Sequence, residues 1–338
     1  MSAADIRIPA ADAHYDLGDY LRLERRKGRR KVMETDLLEG LRRGGVRLLF
    51  AAVFTDPASE HGTALEQAVE QLAAIQSELR ESPGLFAICT DAAQVEAAME
   101  AGKIALVLTL EGAEPLEGNP DLLEFFYHAG IRALGIAHAR RNFACDGAHY
   151  TTGKYDLGGG LTAAGADLIR RARELGMLVD LSHLNDAGTA DVLELTKGGL
   201  FASHSNCRAV CPTLRNLSDD QIRAISERGG IIGLSVCSAF VGDQPHTITM
   251  EQVLRHLRHL LEVAGEDHVC LGLDLAEMIC PGVIFTVNGY STPLKDLISN
   301  HGCLPEFAEL LRQQGLAERT IRKLFSENLL RFVKDNLR

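Results

Sequence analysis

The 338-residue chain has no tryptophan, and aromatic residues make up only 5% of it. It contains no run of about 18 or more apolar residues, the length a helix needs to cross a bilayer, so a membrane partner is not expected. The opening "MSAADIRIPA" has no basic n-region followed by an apolar h-region, so no signal peptide is expected. The eight cysteines form no paired framework: Cys207 and Cys211 stand close together, but no second pair accompanies them at zinc-ribbon spacing. They read as reduced thiols of a cytoplasmic protein, mostly serving as small buried apolar residues. Positive charge is also in deficit, with 35 Lys and Arg against 46 Asp and Glu and a net charge of −11. An acidic surface repels phosphate backbones, which argues against nucleic acid as a partner. The basic stretch "RLERRKGRRK" (22–31) is local and reads as a solvated face or a loop near the site. No G-x-G-x-x-G follows an early strand, which removes the usual dinucleotide signature. There is no fixed-period repeat and no low-complexity linker.

What the chain does have is an ordinary globular composition, 46% apolar and 24% charged, and the length to bury a large core. Short runs rich in Val, Ile and Leu alternate with longer amphipathic patterns. The strand candidates are 11–16, 46–54, 104–112, 131–138, 176–183, 199–205, 229–236 and 268–275. Helical patterns run through 63–80, 161–176 and 250–265, with capping residues at Thr162, Asp186 and Ser218 and closing glycines at Gly176 and Gly265. Near-continuous apolar strands alternating with helices imply a parallel sheet covered on both faces. Eight such units predict an α/β fold, a (β/α)8 TIM barrel spanning 1–338 as one domain, with a doubly wound sheet as the alternative. The longest irregular stretches, 139–160 and 276–303, each follow a strand, where barrel enzymes keep their active-site loops.

The polar residues are concentrated at the C-terminal ends of these strand runs. His14 and Asp16 end the first, Glu111 the third, His138 the fourth, His183 the fifth, His204 the sixth and Asp274 the eighth. In a barrel those ends converge on one face. Taken singly, each has an ordinary structural explanation. His14 and Asp16 suit a hydrogen-bonded turn, His138 or His183 a satisfied buried histidine, and Glu111 the start of a turn. Seven in phase are harder to explain that way, because burying unpaired acids and imidazoles is costly. His14, Asp16, Glu111, His183 and His204 exceed the three protein ligands that one open catalytic zinc needs. Two ions about 3.5–4 Å apart, bridged by a carboxylate, would use them all. Imidazole and carboxylate suit zinc, while manganese, iron and cobalt remain chemically open.

In order along the chain, "DAHYDL", "LTLEG", "HAGIRALGIAH", "GLTAAGADLIRRARELGMLVDLSH", "FASHSNCRAVCPTLRNLSDD", "GGIIGL" and "EDHVCLGLD" resemble the membrane dipeptidase (renal dipeptidase, peptidase M19) family of metal-dependent hydrolases, from about residue 10 to residue 275. The resemblance implies a dinuclear zinc barrel that cleaves dipeptides, often tolerating a D-residue at the C-terminal position, by attack of a metal-bridging hydroxide. It implies that His14 and Asp16 bind one zinc, that Glu111 bridges, and that His183 and His204 bind the other. His138 would hold the scissile carbonyl and its oxyanion. Arg215 would grip the substrate carboxylate, and Asp274 would take the proton from the attacking water and pass it to the leaving amine. A homodimer is also implied.

Two departures from the family pattern stand out. The first motif reads H-Y-D where the family commonly has H-N-D. The eighth strand reads "GLDLAEM" where the pattern is closer to G-x-D-F-D-G, so Ala276 replaces an Asp and Glu277 a Gly. Other readings are a related amidohydrolase acting on another amide, such as an acylated amino acid, and a non-catalytic homologue that keeps its metal. His61, His128, His246, His256, His259, His268 and His301 are assigned no role at the site. His256 and His259 are read as solvated or helix-packing residues. His149, Arg140 and Arg141 are the residues to watch for substrate contact.

Overall fold

The computed structural model describes residues 8–56, 62–148, 158–242, 248–279, 284–287 and 290–338. Its strands are β1 (Ala10–Tyr15), β2 (Val46–Phe54), β3 (Phe86–Ile88), β4 (Ile104–Glu111), β5 (Ile131–Gly135), β6 (Leu178–Asp180), β7 (Leu200–Ala202), β8 (Ile231–Leu234) and β9 (Val269–Leu271). β1 pairs with both β2 and β9, and β2 pairs with β4 over seven residues, so eight parallel strands close into a (β/α)8 barrel. β3 stands outside the ring and pairs only with Ile104–Leu106 at the start of β4, leaving Leu108–Leu110 to β5.

Every barrel strand coincides with one of the apolar runs of the sequence. Within β2 the buried stretch Leu48–Val53 is continuous because helices cover the outside and side chains fill the inside. Five of the expected strands, β5 to β9, are clearly shorter than their runs. β6, β7 and β9 have three residues each, because the chain leaves the ladder before the polar residues of the site. The short β3 and an antiparallel hairpin, β10 (Ile284–Val287) with β11 (Tyr290–Pro293), were not expected; the hairpin lies inside the stretch 276–303 that reads as irregular.

The helices start where their side chains satisfy the first backbone N–H groups. Thr63 and Glu66 form a capping box for Ala64–Glu81, as Ser218 and Gln221 do for Asp219–Glu227, and Thr162 caps Ala163–Glu174. The helix expected to open on Asp186 is capped one residue earlier, by Asn185, whose side chain accepts from the Gly188 amide. The Asp186 carboxylate is instead taken by Arg208 at 2.7 Å. The basic run is an ion-paired face: Arg25 meets Glu78 and Glu81, Arg26 meets Glu70, and Lys27 and Arg29 meet Glu24. Among the described residues no helix is long and apolar enough to cross a membrane.

The barrel interior is filled at its lower end by Ala11, Leu48, Phe50, Val107, Phe201 and Cys270. The helix Asn328–Asn336 closes that end, packing Leu329, Phe332 and Val333 into the same cluster. Phe201 meets Phe50 and Phe332 at ring-centroid distances of 5.6 Å on either side. Asn328 fastens this floor by donating to the Glu266 and Val269 carbonyls. The opposite end, where the strands finish, is left for the polar residues.

Candidate metal centre

His14 and Asp16 come together through a bulge, not through simple strand alternation. Between Asp12 and Tyr15, β1 advances three residues while β2 advances two, from Leu49 to Ala51. The extra residue turns His14 into the barrel mouth, and Asp16 follows at the position that precedes helix Leu17–Arg26. Glu111 ends β4, whose inward residues Ala105 and Val107 lie two positions apart below it. His138, His183, His204 and Asp274 lie two or three residues beyond the last residues of β5, β6, β7 and β9. His183 and Asp274 adopt left-handed backbone conformations, with φ of 69° and 57°. A non-glycine residue there costs about 1–3 kcal/mol, and such strain collects at functional sites. A side chain on Gly233 or Gly272 would collide with the Ser203 carbonyl oxygen, so both glycines keep room for the turn that carries His204.

All seven residues meet in one cluster, with His14, His183, His204 and Asp274 buried and Asp16, Glu111 and His138 half-buried at its open side. The two oxygens of Glu111 face different donors. Its Oε2 is 3.4 Å from His14 Nε2; its Oε1 is 3.0 Å from His183 Nε2, 3.5 Å from His204 Nε2 and 3.7 Å from His138 Nε2. His14 Nε2 also lies 3.4 Å from Asp16 Oδ1 and 3.9 Å from Asp274 Oδ1. The Nε2 atoms of His183 and His204 are 2.8 Å apart. His204 is oriented by Ser203, whose Oγ lies 2.7 Å from Nδ1 and leaves Nε2 for the centre. Proximity groups His14 with Asp16 and Glu111, His138 with Glu111 and His183, and His204 with His14 and Asp274. His138 thus shares Glu111 with the expected ligands, though at 3.7 Å it is the farthest of the four imidazoles from that carboxylate.

Electrostatics separates the members. Burial pushes Glu111 up to about 8, helped by Asp16 and Asp274 and opposed by His14. Burial likewise pushes Asp274 up to about 7, with Asp16 and Asp296 adding repulsion. Burial would depress His14, but Glu111 and Asp16 outweigh it and hold His14 well above the ordinary imidazole range. Burial opposes ionisation of Asp16, and His14 overcomes this to keep it low. His138 falls to about 3 through burial and the positive field of Arg215 and Arg140. Burial also takes His183 and His204 far below their usual value, reinforced by Arg215 and neighbouring imidazoles.

This donor set fits divalent ions. His14 Nε2 and Asp16 Oδ1 are buried without a hydrogen-bond partner, 3.4 Å from each other. His183 and His204 are held neutral, the form in which imidazole ligates. Three largely buried carboxylates side by side, Asp16, Glu111 and Asp274, need cations to balance them.

A cavity of about 100 Å³ opens over the cluster, lined by Asp16, Glu111, His138, His183 and Asp274 together with Phe54, Cys237, Phe240, Ala276, Ile279 and Leu294. The apolar part of this wall, spread over four segments, gave no signal in the sequence. Arg215 is buried, lies over the Phe240 ring at 4.6 Å, and donates to Ser205 Oγ and the His204 carbonyl. Tyr15 points away from the centre, its hydroxyl 3.2 Å from the Met278 sulfur. Glu277 and Asp296 lock the segment after Asp274, Asp296 accepting from the amides of Ala276 and Glu277. His256 is a packing residue, accepting from the Cys207 amide at Nδ1, and His259 pairs with Asp219. His301, set aside in the sequence, bonds to Asp12 at 2.8 Å beneath His14. His61, His149 and His246 lie outside the described residues. Arg140 pairs with Asp56 and Arg141 with Asp146.

The family model for membrane dipeptidase (peptidase family M19) matches residues 3–337. A metallopeptidase of family M19 named dipeptidase AC has a similar structure, with a TM-score of 0.82 and 30% identity over 98% of this chain and 99% of that one. A metallopeptidase from Rhodobacter sphaeroides, solved with a phosphinate mimic of the dipeptide L-Ala-D-Ala, gives a TM-score of 0.84 and 29% identity over 98% of this chain and 100% of its own. An uncharacterised protein of Klebsiella pneumoniae is 34% identical over 270 residues, 79% of this chain and 94% of the relative. With a metal-ready cluster at the mouth of a closed parallel barrel, the chain belongs to the membrane dipeptidase family, peptidase family M19, and is a metallo-dipeptidase.

Proposed function

We propose that the enzyme holds two zinc ions and hydrolyses small dipeptides, accepting a D-residue at the C-terminal position. The observation that carries this reading is the division of Glu111, one oxygen toward His14 and the other toward His183 and His204. On this reading His14 and Asp16 hold one ion, His183 and His204 the other, and Glu111 reaches both. Ions in such a site supply Lewis acidity and an acidified water. Asp274, on the cavity wall with its Oδ1 3.9 Å from His14 Nε2, serves as the proton carrier at its carboxylate, taking a proton and returning it. His138, beside Phe54 on the cavity wall, donates to the scissile carbonyl oxygen. Arg215 holds the substrate carboxylate, for which a planar guanidinium is well shaped. The small size of the cavity over the cluster favours a small substrate over a long peptide, and the ligand of the Rhodobacter sphaeroides relative, an L-Ala-D-Ala mimic, supports the stereochemistry. A cytoplasmic location is in keeping with the seven described cysteines, all free thiols.

The test is metal content per chain in protein purified without added metal, with hydrolysis of L-L and L-D dipeptides assayed on the same sample. About two zinc per chain with dipeptide cleavage is the expected result. Two ions without cleavage would move the substrate to another amide, and protein that takes up no metal on reconstitution would overturn the reading of the centre.

A further inference from the structure

Asp12 and Asp180 do not belong to the cluster, yet each makes the same arrangement beneath it. Asp12 is the residue of β1 paired with Leu271 of β9. Its Oδ1 accepts from the amide two residues ahead on its own strand, His14 at 3.3 Å, and from the amide two residues ahead on the partner strand, Leu273 at 2.9 Å. Asp180 is the residue of β6 paired with Phe201 of β7. Its Oδ1 accepts from Ser182 at 3.0 Å and from Ser203 at 2.9 Å, again two ahead on each strand. Both carboxylates are buried. Asp12 is fixed further by His301 on its other oxygen, at 2.8 Å.

The arrangement answers a geometric problem. The parallel ladder stops at Asp12–Leu271 and Asp180–Phe201, where the strands diverge to open the mouth, and the donors that follow have no ladder to hold them. One carboxylate oxygen replaces the missing rung and binds two diverging chains with charge-assisted bonds. What comes next on those chains is His14 and Asp274 in one case, His183 and His204 in the other.

We propose that Asp12 and Asp180 are positioning residues, each acting as a clamp that sets one half of the metal centre; this rests on the reading of the centre as dinuclear. Asp180 sets the ion held by His183 and His204, and Asp12 sets the ion held by His14 and Asp16 together with the placement of Asp274.

The experiment measures stepwise zinc affinity by competition with a chromophoric chelator in the full chain and in Asp12→Ala, Asp180→Ala, Asp12→Asn and Asp180→Asn. Leu329→Ala, in the floor at the far end of the barrel, is the control for destabilisation alone. Each alanine variant should weaken one ion by about 10- to 100-fold, the range found for groups that orient ligands, and leave the other unchanged. The asparagine variants keep an acceptor oxygen and should recover most of that loss. In metal-free protein, deuterium exchange at the Leu273 amide should quicken in Asp12→Ala and at the Ser203 amide in Asp180→Ala. Alanine variants that bind both ions as the wild type does would overturn the proposal. So would losses shared equally by both ions in step with the fall in melting temperature of the control. A wild type that takes up one ion refutes the dinuclear reading instead; the clamp then stands only if just one of the two alanine variants weakens that ion. If the wild type takes up none, the exchange rates alone decide.

Discussion

On the roles proposed for Glu111 and Arg215, metal binding and substrate binding separate at the level of single side chains. Removing an imidazole from the centre leaves the carboxylates with less to balance them, so His204→Ala should lose metal and activity together, read as zinc per chain and dipeptide turnover. Arg215→Ala should keep its metal and raise KM for dipeptides. A charge-assisted pair of about 1.5–3 kcal/mol corresponds to roughly 10- to 100-fold in kcat/KM. A dipeptide amide, lacking the carboxylate, should not distinguish the variant from the wild type; unchanged dipeptide kinetics would refute the role given to Arg215. The chemistry-bearing residue types were legible in the sequence because acids and imidazoles stand out against apolar runs. The way His14 reaches the centre was not, because a bulge is a matter of register between two strands 36 residues apart, Ala10 opposite Val46. Nor was His301, which meets Asp12 across 289 residues.

At the level of elements, the apolar runs located all eight barrel strands but overran the ends of β5 to β9. A run of Leu and Val records burial, and the chain stays buried after it has left the ladder: Leu181 and Leu273 are as buried as the strands before them. β3 escaped notice because three residues, Phe86–Ile88, are too few for a periodic signal. The capping motifs were legible because they are local. The Ser218 and Gln221 side chains each accept from the other's backbone amide at the start of helix Asp219–Glu227, so Ser218→Ala should cost about 1 kcal/mol. Urea unfolding should show this as a lower midpoint at unchanged slope, and a shift below about 0.3 kcal/mol would mean the box contributes little. Asn185 shows the limit of that reading, since two neighbouring side chains can both cap and only their contacts decide which one does.

For the whole molecule, metal and fold are linked. Without ions Glu111 rises to about 8 and Asp274 to about 7, both above their unfolded values. Groups with raised values favour the metal-free fold at low pH and lose that contribution as pH rises through those values. Ion binding requires Glu111 without its proton, so the loaded form gains as the empty one loses. The difference in melting temperature between zinc-loaded and chelator-treated protein should therefore widen from about pH 6 to about pH 8. A difference that stayed flat or narrowed over that range would contradict this account of Glu111.

The floor built by Leu329, Phe332 and Asn328 gives the molecule two poles. The metal-ready cluster stands at one and the closing helix at the other, with the length of the strands between them. Rigidity added at the floor reaches the catalytic mouth only through that full length. An engineer seeking a more durable catalyst therefore has a region to redesign freely, where gains in lifetime need not be traded against turnover.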